Sequence, residues 1–205
     1  RFIAGPFCGM LLADMGAEVI RVDRLDGSED RFLVPVAKTG EGPLFLALNR
    51  NKRSLTLNPT KPEGREIVRE LVKSADVVIA NLPQPTLVSM GIDYESLKAI
   101  KEDIILTTVT AYGNGGPYSE RVGFDGVAQA LAGATYHGGR PGDPMKSFVP
   151  FADFGTASLA AFGTMAALYE RQSTGQGQLV EGALTRTEMA FNIALLGEEA
   201  VKGND

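Results

Sequence analysis

Residues 7–23, FCGMLLADMGAEVIRVD, decide the fold class. The apolar run from Phe7 stops at Gly16, a residue free to take the left-handed turn that ends a helix, and AEVIRVD then reads as a buried strand. A helix that runs straight into a strand is half of an α/β repeat, and the same alternation continues along the chain. RSLTLN (53–58) is a second strand, and residues 61–74 form a helix opened by Pro62. ADVVIAN (75–81) is a third strand, LPQP a turn, and a short helix over 86–90 stops at Gly91. DYESLKAI (93–100) is helical with Asp93 as N-cap, and DIILTTVTAYG (103–113) is a fourth strand. FDGVAQALAGATY (124–136) and residues 154–171 are helices, GQLVEGAL (177–184) is extended, and a last helix covers about 185–201. RLDGSEDRFLVPVAKTGEGP (24–43), GNGGPYSERVG and HGGRPGDPMKS are loops. This order predicts a Rossmann-like α/β domain with one open, mostly parallel sheet flanked by helices. Ligands of such sheets bind at the carboxyl ends of the strands, so residues 22–24, 80–83 and 111–116 should share one edge.

Composition narrows the function. A chain of 205 residues can bury roughly 70% of its unfolded surface, and no domain boundary or internal repeat interrupts it. The net charge of -5 argues against a general nucleic-acid binder. One cysteine and one histidine exclude an intramolecular disulfide and a Cys/His zinc site, which favours the cytoplasm and predicts no metal. No apolar stretch reaches the roughly 20 uncharged residues of a membrane span, so no membrane partner is expected. The chain begins at Arg1, close to a Gly-Pro turn, and reads as a piece of a longer protein.

Several motifs are weighed and set aside. The first turn lacks G-x-G-x-x-G, and Pro6 removes an N–H that a phosphate cradle would use, which argues against NAD binding. DFG (153–155) has none of the other kinase motifs around it, and HGGR (137–140) has no G-x-S-x-G serine to serve. Cys8 reads as a core residue and His137 as a surface one. The cationic run NRNKRS (49–54) is either a solvated face or an attractor of a phosphorylated ligand.

Asp153 stands between the apolar FVPFA and a long run of small residues. An unpartnered ionised carboxylate is costly in such surroundings, so it should cap the helix that follows, join an ion pair or do chemistry. The chemical use is nucleophilic: a carboxylate ionised at neutral pH attacks an acyl carbon without a general base. The apolar flanks at 148–155 would then be the walls of a dry chamber.

GPFCGMLLADMGAEVIRVDR, NRNKRSLTLN, PEGREIVRELVKSADVVIAN, RVGFDGVAQALAG and DFGTASLAAFGTMAALYERQSTGQGQ, in this order, resemble the class III CoA-transferase (CaiB/BaiF) family over essentially the whole chain. The resemblance implies transfer of coenzyme A from an acyl-CoA to a small carboxylic acid, through aspartyl anhydride and aspartyl-CoA thioester intermediates on Asp153. CoA is then a substrate, with no tightly bound cofactor. Its matching contacts are Ala4, Arg24, Leu57 in the second strand, Asn81, Leu82, Pro83 and Arg121. Ser89 replaces an arginine near the nucleotide, and Ile3 replaces a glutamine of the formate and oxalate pocket. Racemases of the same family need a histidine where this chain has Phe124, which favours transfer over racemisation. A CoA-binding domain without catalysis is the reading if these residues are the whole molecule. Family members are about twice as long, with a second domain and a glycine-rich loop not seen here, and form interlaced homodimers. The 205 residues correspond to the CoA-binding large-domain portion.

Overall fold

The computed structural model describes residues 2–202. The first helix, α1 (Ala4–Asp14), takes Gly5 and Pro6 into its opening turn, so it starts ahead of the apolar run read from sequence. A proline costs a helix little there, because the first N–H groups have no partner within the helix. Gly16, at φ 101°, makes the turn into β1 (Val19–Asp23) as expected. A single 3-10 turn over Glu29–Phe32 and the short helix α2 (Pro43–Leu48) lie in and beyond the stretch read as loop. Then follow β2 (Lys52–Thr56), α3 (Pro62–Ser74), β3 (Val77–Ala80), α4 (Gln84–Met90) and α5 (Tyr94–Lys98), whose Asp93 cap accepts from the Ser96 amide at 3.2 Å. β4 (Ile105–Thr110) leads through a long loop to α6 (Asp125–Leu131) and α7 (Ala134–His137). Gly133, at φ 82°, separates these two where one helix was expected. α8 (Phe151–Thr174), β5 (Leu179–Ala183), α9 (Leu184–Phe191) and α10 (Ile193–Lys202) complete the order, the last pair divided at Asn192.

All strand pairs among the described residues are parallel, but they form two sheets, β1-β2 and β3-β4-β5, instead of one. The three-stranded sheet carries the fold. β4 lies at its centre and is buried on both faces, as the middle strand of an α/β sandwich must be. The alternation of a strand sorts its side chains: Leu106 joins the core under α3, α4 and α5, with Val72, Leu87, Ile92 and Leu97. Val109 and Ala111 point to the other face, against α1 and α8, with Cys8, Leu12, Ala157, Ala160 and Ala161. The carboxyl ends of β3 and β4 therefore lie side by side, with Ala80 opposite Thr108. Residues 22–24 belong to the other sheet, so the single ligand edge read from sequence divides into two.

α8 approaches this sheet closely because its buried stripe is made of small residues: Ala152, Thr156, Ala157, Ala160, Ala161, Thr164 and Ala167. Glycines complete the fit. A β-carbon at Gly182 of β5 would lie 2.9 Å from Thr156 Cγ2. In the interface, the Thr107 and Thr164 hydroxyls are 2.7 Å apart, and Thr164 Oγ1 donates to Ala160 O at 2.7 Å. Thr107 must then be the donor between the two. Thr164→Val keeps the shape but strands the Thr107 hydroxyl, and is expected to cost about 1–2 kcal/mol in denaturant unfolding. Unchanged stability would contradict this assignment.

One sequence expectation about α8 needs correction. With 24 residues it is long and apolar enough, by length and composition, to cross a membrane. Reading for uncharged runs passed over it because Asp153 and Glu170 bracket its apolar part. Its buried stripe is nevertheless engaged by α1, β4, β5 and α9, as in the core helix of a folded domain.

Candidate active site at the start of the long helix

Asp153 does not cap α8. The helix begins at Phe151, with Pro150 at the N-cap position, so Asp153 lies inside the first turn. The cap comes from another helix. Asp125, the first residue of α6 and only 5% exposed, accepts the Ala152 amide at 2.9 Å and the Asp153 amide at 3.3 Å through Oδ1. Its Oδ2 accepts from Gln129 Nε2 at 2.6 Å, a pair one helical turn apart. Gln129 in turn accepts the Ser147 amide at 2.9 Å, which ties the approach to α8 back onto α6. Lys146 Nζ stands 3.8 Å from Asp125 Oδ2.

With its amides held elsewhere, the Asp153 carboxylate receives no hydrogen bond among the described residues. Burial pushes its pKa up to about 6, the nearby Asp125 charge adds to the rise, and Lys146 opposes it. Such a group is more basic than an ordinary aspartate yet still ionised at neutral pH, which is the combination a carboxylate nucleophile needs. The following residue, Phe154, sets its ring edge-on to Phe7 of α1 at 4.9 Å, which fixes the turn against the first helix. The chamber expected from residues 148–155 is only half present: Phe148 is 98% exposed and Phe151 and Val149 also face outward. Phe124, the residue before Asp125, sets its ring edge-to-face with Phe2 at 5.9 Å.

The residues matched to CoA contacts fall in three places. Ala4 is buried at the first position of α1. Asn81, after β3, lies against that turn so closely that a β-carbon on Gly5 would be 3.2 Å from Asn81 Cγ. Leu82 packs on the core of the far face and Pro83 is the N-cap of α4, which starts two residues earlier than expected. The edge of the smaller sheet holds the second group. Leu57 lies one residue past β2, not within it, and its amide donates to Asp23 O at 2.9 Å, which sets it beside Arg24. Arg24 is exposed and paired with Asp26 at 3.0 Å. Arg121 stands apart, exposed, with its guanidinium 4.3 Å above the Tyr118 ring. Ser89 is exposed, and its carbonyl accepts from Arg65 of α3 at 2.9 Å.

The run NRNKRS is structural. Arg50 pairs with Asp14 and Arg53 with Glu18, while Lys52 Nζ donates to Pro6 O, Leu48 O and Asn49 Oδ1 at 2.6–2.8 Å. Cys8 is fully buried and its thiol is pushed up to about 12 by burial, far from reactive. His137 is exposed at the end of α7. Asp125 was passed over in the sequence, where GFDG drew attention only to Phe124. The i, i+4 pairing of Asp125 with Gln129 at a helix start was the available signal.

Against this geometry, comparison with known proteins is consistent. The sequence model of CoA-transferase family III matches residues 1–204. The chain is 37% identical over 198 residues to the succinate–glutarate CoA-transferase of Agrobacterium fabrum, covering 93% of this chain and 50% of that protein. It is 38% identical over 186 residues to the succinyl-CoA–L-malate CoA-transferase beta subunit of Chloroflexus aurantiacus, covering 89% and 46%. A crystal structure of a CAIB/BAIF family protein from Brucella suis superposes with a TM-score of 0.94 at 37% identity, covering 100% of this chain and 56% of the other. The chain thus spans about half the length of the curated relatives it matches.

Proposed function

Because the chain belongs to CoA-transferase family III, we propose that it is the nucleophile-bearing half of an enzyme that moves coenzyme A from an acyl-CoA to a carboxylic acid, with Asp153 as the covalent catalyst. The observation that carries this reading is a carboxylate of raised basicity in the first turn of α8, whose helix is capped by a different aspartate.

An Asp153 Oδ attacks the thioester carbonyl, the C–S bond breaks, and the CoA thiolate leaves a mixed anhydride. The thiolate then attacks Cγ of Asp153 and expels the donor acid as its carboxylate, leaving an aspartyl-CoA thioester. The acceptor carboxylate attacks the same carbon and expels thiolate, which takes the acceptor acyl group and returns Asp153 as a free carboxylate. Each step exchanges one anion for another, so no proton is gained or lost across the cycle. This suits a site where Asp153 has no acid or base in hydrogen-bond contact among the described residues. The first turn of α8 faces the charge that develops on each tetrahedral oxygen with the positive end of its dipole.

The relatives named above use succinyl-CoA or succinate with a second dicarboxylic acid. We assign the same class, four- and five-carbon dicarboxylic acids, to this protein, and Ile3 in place of a glutamine supports it against formate and oxalate. CoA would lie along the edge that carries Ala4, Asn81, Leu82 and Pro83, with Arg24, Leu57 and Arg121 toward its nucleotide. Arginine forks suit phosphate oxygens. Racemisation has no support, since Phe124 offers no base. The interlaced homodimer and the cytoplasmic location belong to the same reading; light scattering on the intact protein would contradict the first by showing a monomer.

The reaction should depend on pH through Asp153. With a pKa of about 6, kcat/KM is expected to fall tenfold per unit as pH drops below that value, because only the ionised form attacks. An acid limb near pH 4 would mean that the group acting is an ordinary, solvated carboxylate. A panel of succinyl-CoA with dicarboxylate and monocarboxylate acceptors tests the substrate class, which fails if monocarboxylates are preferred.

A further inference from the structure

We propose that Asp125 is a positioning residue of the transfer reaction: it holds the first amides of α8 from α6, and from there its buried charge acts on the unbound Asp153 carboxylate that attacks. The inference rests on the functional reading above and extends it to a second residue.

The geometry is specific. A carboxylate in the first turn of a helix ordinarily turns back to the free amides of that turn, and an aspartate bound in this way is less basic and less nucleophilic. Here Asp125 Oδ1 already occupies the amides of Ala152 and Asp153. Asp125 cannot swing away, because Gln129 Nε2 holds Oδ2 at 2.6 Å and Gln129 is itself fixed by the Ser147 amide. Asp125 is buried, so its charge acts on Asp153 with little screening by water. The Asp125 charge therefore disfavours ionisation of Asp153, in line with the direction in which Asp153 is shifted.

Among the described residues, other groups facing the pair are few. Lys146, from the loop before α8, is half-exposed and moderates the Asp125 charge at 3.8 Å. Glu188 of α9 is 4% exposed, and its Oε2 has no partner among the described residues. Its carboxyl is raised by burial and then by Asp125, but it is not among the groups that shift Asp153. On the α1 side Phe7 packs against Phe154 and carries no charge.

The test uses the full-length protein, with carbon NMR of labelled aspartate following the Asp153 carboxyl, identified by its loss in Asp153→Asn. Asp125→Asn keeps an acceptor for the amides but removes the charge, and should lower the Asp153 titration by about one unit. The acid limb of kcat/KM should move down with it, and kcat should fall several-fold with little change in KM for acyl-CoA. Asp125→Asn/Gln129→Glu returns a negative charge one helical turn away and gives the new Asn amide an acceptor, so it should bring the titration part of the way back. Glu188→Gln should leave it in place. An Asp153 titration unmoved in Asp125→Asn overturns the proposal, even if activity falls, because a purely structural loss would do the same. The titration reads the Asp125 contact without turnover. If it moves as expected while the wild type transfers no CoA, the contact stands and the functional reading is what fails.

Discussion

Asp153→Asn is expected to abolish CoA transfer, by at least about a thousandfold as for loss of a covalent nucleophile, and at the same time to make the protein more stable. The two effects have one cause. The carboxyl pKa is raised from 3.8 to about 6, first by burial and then by Asp125, so the folded state resists its ionisation. Between these values the folded protein binds more protons than the unfolded chain. Stability is therefore higher at pH 4 than at pH 7 on this group's account, and the penalty is complete once pH exceeds about 6. A shift of this size corresponds to about 2 kcal/mol after allowance for partial solvent access. An asparagine has the same shape and no charge, so thermal unfolding at pH 7 should move to higher temperature, and the gain should vanish toward pH 4. Residues kept for structure behave in the opposite way, losing stability when changed. A variant both inactive and less stable would assign Asp153 to the scaffold.

Arg21→Ala is expected to be the most damaging change in the smaller sheet, costing about 3–5 kcal/mol. Arg21 Nη1 and Nη2 bind both oxygens of Asp30 at 3.0 and 2.9 Å, Nε binds Asp23 at 3.0 Å, and Nη1 also reaches Asn49 Oδ1 at 2.8 Å. Asp30 is 1% exposed and Asp23 is 3% exposed, so removing the guanidinium leaves two buried negative charges close together. The cluster joins β1 to the 3-10 turn and to α2, whose Phe45 ring lies 4.9 Å from the Arg21 guanidinium. Burial alone would raise the Asp23 carboxyl, but Arg21, Ser28 and Arg31 together hold it below the usual range. Its contribution is present above the ordinary aspartate pKa near 4 and is lost as pH falls through the lower folded value. In Arg21→Ala that hold is weakened, so the deficit measured by urea unfolding should be large at pH 7 and smaller in acid. A loss below about 1 kcal/mol would show the cluster to be an exposed ion pair in energetic effect.

Much of this architecture was legible because it rests on local pattern. Gly16 after an apolar run and Gly91 after residues 86–90 marked true helix ends, since each holds a positive φ that other residues avoid. Asp93 could be read as a cap because its partner, Ser96, lies three residues on. What local pattern could not give was the partner of a long-range contact. Asp153 looked like a cap because it precedes small, helix-forming residues. The true cap, Asp125, is 28 residues earlier and reaches α8 only through the packing of α6. For the same reason the division into two sheets was hidden: a strand's own sequence records whether it is buried, but not which neighbour it pairs with. The α2 segment was missed because the long loop before it carries Gly and Pro, although Pro43 occupies the first turn of that helix. Asp153 as nucleophile came from the ordered motifs around it. A carboxylate left basic and unbound beside a second one supports that proposal.

Mass spectrometry of the full-length protein after incubation with succinyl-CoA without acceptor, followed by peptide mapping, tests the central claim most directly. The account predicts a CoA-sized adduct on the peptide that contains Asp153, released by addition of an acceptor dicarboxylate and absent in Asp153→Asn. Transfer that proceeds with that peptide unlabelled, or with full activity in the variant, would contradict it.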